Sequence, residues 1–171
     1  GQLTASRSLA LRVSGGTDNT RGLLTAGQAL QLDAASVDNT DGLLRALAGP
    51  LQLGIGGALL NQQGQIGSGE TLNARVGSLL NTGTLYATGS LQIQATGLID
   101  NRAILAAGSN AELQARSLSS SAEALLGAGI RSDGSLAGSG NLLVSTTDGL
   151  GAHGQNLAAG SLQLEGRDVD L

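Results

Sequence analysis

Apolar and polar residues alternate in short runs along most of the chain. The pattern is clear in Leu30-Gln-Leu-Asp-Ala34, where every second residue is apolar. Alternation with a period of two predicts a β-strand that buries one face. Runs of about 3–5 residues are too short to form independent hairpins with their own cores, so each strand must pair with a strand elsewhere in the chain. A helix is disfavoured, because Gly, Asn, Ser and Thr interrupt every stretch and each Gly costs roughly 1 kcal/mol relative to Ala.

Two sequence marks recur with a period of about 20 residues, which lies in the range of solenoid repeats. Five asparagines are almost evenly spaced, and each is followed two or three positions later by Gly, or by Ala103 at the fifth site. A pair of apolar residues separated by one position recurs at a similar interval, as in Leu30 with Leu32 and Leu51 with Leu53. Two independent marks that share one period predict a repeat architecture. The asparagines are Asn19, Asn39, Asn61, Asn81 and Asn101, and the glycines are Gly22, Gly42, Gly64 and Gly83.

The fold class that fits is all-β, a right-handed parallel β-helix (solenoid) of about eight coils whose strands stack at about 4.8 Å. We expect aliphatic columns inside the coils and an asparagine ladder at one corner, with amides hydrogen-bonded along the axis. We also expect Asn and Gly to supply the left-handed backbone that a tight corner needs. The two expected columns are Leu24, Leu44, Ile66, Leu85 and Leu105, and Leu30, Leu51, Leu72, Leu91 and Ala111.

The repeat register divides the chain, which we interpret as one β-helical segment over residues 1–171. Residues 1–115 are expected to form regular coils and 136–171 further coils, because the next good apolar pair after Ala111 begins only at Leu142, well beyond one repeat. An irregular coil or loop insertion is expected at 116–135, and smaller insertions near Pro50 and at Gly54–Gly57. Insertions in a solenoid emerge as surface loops, often on the binding face, so these places are candidates for recognition.

Composition agrees with narrow aliphatic coils and excludes several functions. The chain has 28 Gly, no Cys, Met, Trp or Phe, and one aromatic residue, Tyr86. The net charge is −4 and the nine basic residues are scattered, which argues against nucleic-acid binding. No apolar stretch approaches the roughly 18 residues of a membrane helix, and the absence of Cys excludes disulfides and Cys-ligated metal sites.

The corner segments resemble the haemagglutinin repeats of filamentous-haemagglutinin-type exoproteins, which include two-partner-secreted adhesins and the CdiA effectors of contact-dependent growth inhibition. The resemblance covers residues 3–113 well and 136–171 less closely. It implies a shaft of a secreted filament at the Gram-negative cell surface, with an outer-membrane transporter and a receptor on a target or host cell as partners. We therefore expect an internal segment of a longer protein. The segments that carry the resemblance are Val37-Asp38-Asn39, Leu98-Ile99-Asp100-Asn101, Leu60-Asn61 and Leu80-Asn81.

Two other functions compete with the shaft. A carbohydrate-active β-helix enzyme would need converging acidic residues, and Glu112, Glu123 and Asp133 are the candidates near the irregular segment. A direct receptor- or glycan-binding module would use surface loops, with Tyr86 expected to point outward.

The remaining polar residues favour a non-enzymatic module. Asp18, Asp38 and Asp100 precede corner asparagines but are interrupted by Leu60 and Leu80, which favours solvated turns. His153, the sole imidazole, cannot form a metal site alone. We expect no catalytic residue, metal or cofactor.

Overall fold

The computed structural model describes all 171 residues and contains 22 strands, β1 to β22, and no helix. Every strand pairs in parallel with the equivalent strand one coil away, which confirms a parallel β-solenoid of about eight coils and a period near 20 residues. No helix has the length and apolar character needed to span a membrane.

The coils have three faces, which the alternation pattern did not predict. The first face is a separate eight-stranded sheet. Its strands are β1 Gln2–Ala5, β4 Leu23–Ala26, β7 Leu43–Ala46, β9 Gln65–Ser68, β11 Thr84–Ala87, β14 Ile104–Ala107, β17 Leu125–Ala128 and β20 Gln155–Ala158.

The second and third faces belong to one 14-stranded sheet, because β8 (Leu51–Asn61) and β10 (Leu72–Asn81) run through the corner between them without a break. The other strands of the second face are β2 Leu9–Arg12, β5 Leu30–Ala34, β12 Leu91–Ala95, β15 Ala111–Ala115, β18 Leu142–Thr146 and β21 Leu162–Glu165. Those of the third face are β3 Gly16–Asp18, β6 Ser36–Asp38, β13 Leu98–Asn101, β16 Ser117–Ser120, β19 Gly149–Ala152 and β22 Asp168–Asp170.

The core is a cluster of 35 buried residues, all aliphatic, that runs along the axis between the three faces. Both columns expected from the sequence are confirmed by the strand register, in which Leu44 pairs with Ile66 and Leu72 with Leu91. Each fully buried Leu or Ile contributes about 1.5–3 kcal/mol of transfer free energy. Stacking of equivalent residues therefore explains a foldable chain with a single aromatic side chain.

The small insertion at Gly54–Gly57 is a β-bulge within β8. Val76 of β10 pairs with Ile55 and Ser78 pairs with Ala58, so that Gly56 and Gly57 together lie opposite Gly77. The extra residue bends β8 locally and re-aligns the third face.

The irregular segment lies later in the chain than the expected 116–135. Residues 117–120 form β16 and residues 125–128 form β17, and both strands pair regularly on two sides. The insertion is instead the loop of residues 129–141, referred to below as the inserted loop, which leaves the first face and contains an antiparallel bridge between Ile130 and Leu136. Outward Ser117 and Ser119 hide β16 in the sequence, whereas its inward Leu118 and Ser120 continue the columns of Ile99 and Asn101.

Candidate functional site

The five corner asparagines lie directly above one another at the end of the third face, buried with 0–6% exposure. The Nδ2 of each residue donates to the Oδ1 of the next along the axis. The four distances are 2.6 Å from Asn19 to Asn39, 2.8 Å from Asn39 to Asn61, 2.8 Å from Asn61 to Asn81 and 2.8 Å from Asn81 to Asn101. The amides thus form a continuous ladder through five coils.

Each amide also ties its corner to the first-face strand that follows the corner residue of the next coil. The Nδ2 of Asn61 donates to the Thr84 carbonyl at 3.2 Å, and that of Asn81 to the Ile104 carbonyl at 2.9 Å. A buried amide left without these partners would carry a desolvation penalty of about 1–3 kcal/mol. The ladder therefore fixes the register between the corner of one coil and the first-face strand two coils further along the axis.

The ladder ends at the sixth coil. Asn101 pairs in register with Ser120, whose Oγ accepts a long hydrogen bond of 3.5 Å from the Asn101 amide, and Ser120 pairs with Ala152 in the coil beyond. The corner asparagine is thus replaced first by a shorter polar residue and then by an apolar one.

The role expected for the corner asparagines and glycines, left-handed backbone, is wrong. The residues with positive φ at the corner are Arg21 (52°), Asp41 (54°) and Gln63 (55°), each of which directly precedes the glycine. They occur only where Gly lies three residues after Asn; at Asn81, where Gly83 follows after two, the turn needs no positive φ.

Close packing explains the glycines. A Cβ on Gly42 would lie 2.6 Å from Asn39 Oδ1, and a Cβ on Gly64 would lie 2.6 Å from Asn61 Oδ1, with the backbone carbonyl of the preceding coil closer still. Distances below 3.0 Å essentially never occur for real Cβ atoms. Gly22, Gly42 and Gly64 therefore provide the space in which the asparagine amides stack, whereas Gly83 makes room for the backbone of Gly64 in the preceding coil.

The acidic residues at this corner cap turns. The Oδ1 of Asp38 accepts hydrogen bonds from the Thr40 N–H at 2.9 Å and the Thr40 hydroxyl at 2.6 Å, and Asp100 forms an ion pair with Arg102 at 2.7 Å. In the strand register Asp38 pairs with Leu60, and Leu80 separates Leu60 from Asp100. The carboxylates are therefore not continuous along the corner.

The acids considered for catalysis lie in different parts of the coil. Glu112, on the second face, accepts hydrogen bonds from Gln92 at 3.2 Å and Gln114 at 2.6 Å. Glu123 lies in the turn before β17, and Asp133 lies in the inserted loop. No three His, Cys, Asp or Glu residues gather at a potential metal site.

The inserted loop folds back over the outer side of the first face, where Tyr86 holds it. The Tyr86 hydroxyl donates to the Ile130 carbonyl at 3.0 Å. Burial raises the pKa of Tyr86 above the ordinary 10.0, and the nearby charge of Asp133 raises this pKa further. Tyr86 faces outward, as expected, but its side chain is half-buried because it lies under the loop.

The loop has its own internal order. The Asp133 carboxylate accepts from the Ser135 hydroxyl at 2.7 Å and the Ser135 N–H at 2.9 Å, and these bonds lower the pKa of Asp133, with Arg131 adding to the effect. Three glycines within the loop have positive φ: Gly129, Gly134 and Gly140. The turn sequence Arg131-Ser-Asp-Gly134 is the sequence signal that could have located this loop.

A cleft of about 460 Å³ lies between the inserted loop and the first face. Its floor includes Gly67, Tyr86 and Ala106, which are adjacent in the strand register, and its sides include Arg45 and Arg131. A second, more open groove of about 910 Å³ follows the corner between the second and third faces and is lined by Arg75, Gln94 and Arg116.

His153 lines neither the cleft nor the groove. Its Nε2 lies 3.6 Å from Asp170 Oδ2, and both side chains are exposed. It thus contacts a single carboxylate of the last coil.

Comparison with known proteins identifies similarity over nearly the whole length. The family model described as the haemagglutinin repeat matches residues 1–49 and 46–167. A curated protein named Toxin CdiA, from Yersinia pestis, is 46% identical over 85 residues, which is 49% of this chain and 3% of that protein. The chain therefore spans a very small part of this relative. No solved structure matches the chain.

Proposed function

The chain belongs to the haemagglutinin-repeat family, and from that membership we propose that it is a structural shaft segment of a large secreted bacterial surface exoprotein. Its role is that of a rigid spacer, which holds adhesive or toxin-delivery regions of the parent protein away from the producing cell. The parent is secreted to the outer-membrane surface of a Gram-negative bacterium through an outer-membrane transporter, and its distal regions meet a receptor on a target or host cell.

Uninterrupted axial pairing is the observation that carries this proposal. All three faces pair strand to strand from the first coil to the eighth, and the asparagine ladder adds hydrogen bonds along one corner. Seven spacings of about 4.8 Å give a rod of roughly 34 Å between the first and eighth strands. Such a rod bends little, because bending would stretch backbone hydrogen bonds and separate aliphatic columns at the same time.

The dispersal of the acids favours the shaft over a polysaccharide-cleaving enzyme. General acid and base catalysis by two carboxylates requires both groups beside one substrate bond. Glu112 is already bound by two glutamine amides and Asp133 by Ser135.

Deletion of one complete coil tests the proposal in bacteria that display the parent exoprotein. Removal of residues 23–42 joins Gly22 to Leu43, so that β1 pairs with β7 in the register it had with β4, while the cleft under the inserted loop stays intact. A spacer one coil shorter should retain adhesion or growth inhibition.

Deletion of residues 23–34 is the matched control, because it removes two strands and breaks the stack; it should abolish function. Loss of function in the 23–42 deletion at normal surface display would contradict the shaft, since it would show that this particular coil carries recognition.

A further inference from the structure

The cleft under the inserted loop differs from the rest of the surface because it is partly enclosed and contains the only aromatic side chain of the chain. Its volume of about 460 Å³ lies within the usual range for small-molecule sites, about 300–1,000 Å³. Such a cleft is not needed to build a solenoid.

Small residues open the floor of the cleft around Tyr86. In the strand register, outward Arg45, Gly67, Tyr86, Ala106 and Gly127 follow one another along the axis. The Tyr86 side chain lies toward the later coils, because its hydroxyl bonds Ile130, and Ile130 itself packs over Gly127, where a Cβ would lie 2.6 Å from Ile130 Cγ1. The Tyr86 ring is thus fixed and half-exposed, and its neighbour Gly67 adds no side chain to the floor.

Arg45 lies over Gly67 beside the Tyr86 ring and brings a positive charge that has no ion-pair partner. Its stem lies over Gly67, since a Cβ there would be 3.7 Å from Arg45 Cγ and 3.9 Å from Nε. The guanidinium has no carboxylate within 4.0 Å, whereas Arg12, Arg102, Arg116 and Arg167 are all in ion pairs.

Arg131 adds a second positive charge from the loop side. Its Nη1 donates to the Leu136 carbonyl at 2.7 Å and the Ser135 hydroxyl at 3.3 Å, which positions the guanidinium at the rim of the cleft. Asp133, the one acidic residue of the loop, keeps its negative charge and offsets part of the Arg131 charge. With two arginines against this one carboxylate, the cleft still carries a net positive charge on a chain whose net charge is −4.

We propose that this cleft binds a hexuronic-acid unit of an acidic glycan. The carboxylate would pair with the Arg45 guanidinium, whose planar donors match a carboxylate in two-point contact. The apolar C–H face of the pyranose would lie against the Tyr86 ring, which offers a rigid apolar surface. Neutral hydrogen-bonding groups at the rim, Gln65, Thr84 and Ser132, suit sugar hydroxyls. The proposal is independent of the shaft role, because a rod can fulfil that role without binding a glycan.

Two-dimensional amide NMR of the purified 171-residue chain tests the proposal. The chain is titrated separately with glucuronate, glucose and acetate at constant ionic strength. Glucuronate should shift the amides of Arg45, Gly67 and Tyr86 saturably, with a Kd on the order of 1–10 mM. Glucose and acetate should each bind at least about tenfold more weakly, because each lacks one of the two recognised groups. Equal binding of glucuronate and either control compound, or no saturable shift with glucuronate, would overturn the proposal.

Two variants keep the test specific. Arg45→Gln should weaken glucuronate binding about tenfold. Arg75→Gln, which removes another exposed arginine, on the second face, should leave glucuronate binding unchanged. Matching amide spectra outside the altered site would show that both variants are folded. Equal losses of glucuronate affinity in the two variants would show non-specific charge attraction and refute binding in the cleft.

Discussion

A corner asparagine acts on three coils at once. Asn61 accepts a hydrogen bond from Asn39, donates one to Asn81, and donates a second to the carbonyl of Thr84. The sequence predicted this ladder from recurrence alone, because identical residues at a fixed period must stack in a solenoid. It did not predict why glycine follows, since spacing cannot distinguish a need for positive φ from a need for space beside a stacked amide.

Removing one amide from the ladder should destabilise the protein strongly. Asn61→Leu leaves the Asn39 and Asn81 amides short of a partner in a dry corner, and we expect a loss of about 2–4 kcal/mol in the free energy of unfolding. Gln92→Ala, on the outer side of the second face, should cost less than about 1 kcal/mol. Denaturant unfolding of both variants provides the comparison, and equal midpoints would refute the ladder as a stabilising element.

The glycine beside the ladder should tolerate no methyl group. Gly64→Ala would place a Cβ against Asn61 Oδ1 and the Asn39 carbonyl, and we expect destabilisation of about 1–3 kcal/mol. Gly15 is the matched control, because a Cβ there would meet nothing within 4 Å, and Gly15→Ala should change stability by less than about 1 kcal/mol. Thermal unfolding measures both, and a neutral Gly64→Ala would show that the corner relaxes freely.

Among the elements, the strands follow directly from the sequence and the inserted loop does not. Alternation identified the inward Leu, Ile and Ala of each coil, and these form the observed columns. The strands β8 and β10 continue through the corner, and the only mark of it in β10 is that two half-buried residues, Gly77 and Ser78, separate buried Val76 from buried Leu79. So small a break in the alternation did not reveal that the coil has three faces. The inserted loop was misplaced because Ser117–Ser120 has polar outward residues and resembles a loop, although Leu118 and Ser120 point inward.

The hydrogen bond from Tyr86 should hold the inserted loop without supporting the core. Tyr86→Phe removes the donor to the Ile130 carbonyl, so the loop should open more often and be cut faster at Arg131 by a protease that cleaves after arginine. The free energy of unfolding should fall by only about 0.5–1.5 kcal/mol, the usual value of one hydrogen bond. Limited proteolysis with mass spectrometry measures the first effect. An unchanged cleavage rate would show that the loop is held by other contacts.

The same contact should appear in the titration of Tyr86, the only tyrosine. Because the pKa is raised in the folded chain above the unfolded 10.0, the unfolded state loses its proton first, and native stability should decline as pH rises through and above 10. Absorbance at alkaline pH follows the phenolate directly. Asp133→Asn should lower the pKa only slightly, since burial is the larger cause and the Asp133 charge the smaller. A Tyr86 pKa equal to that of free tyrosine would contradict the buried contact.

The whole molecule is a rod in which the design of a single coil is repeated and modified. Repetition supplies stiffness through paired strands, aliphatic columns and the asparagine ladder. The repeat is modified in two places, at the bulge in β8 and at the inserted loop. Both leave the axial strand pairing intact and change the surface of the rod. The shaft and the cleft can therefore coexist in one segment.

Distances along the rod test the shaft most directly. The absence of Cys allows spin labels to be placed singly, and Thr4, Arg45 and Leu157 lie in one outward column of the first face. Pulsed dipolar spectroscopy on Thr4→Cys/Leu157→Cys and Arg45→Cys/Leu157→Cys should give narrow distributions separated by about 10 Å, which corresponds to two strand spacings. Broad distributions, or a separation far from that value, would contradict a rigid rod of stacked coils.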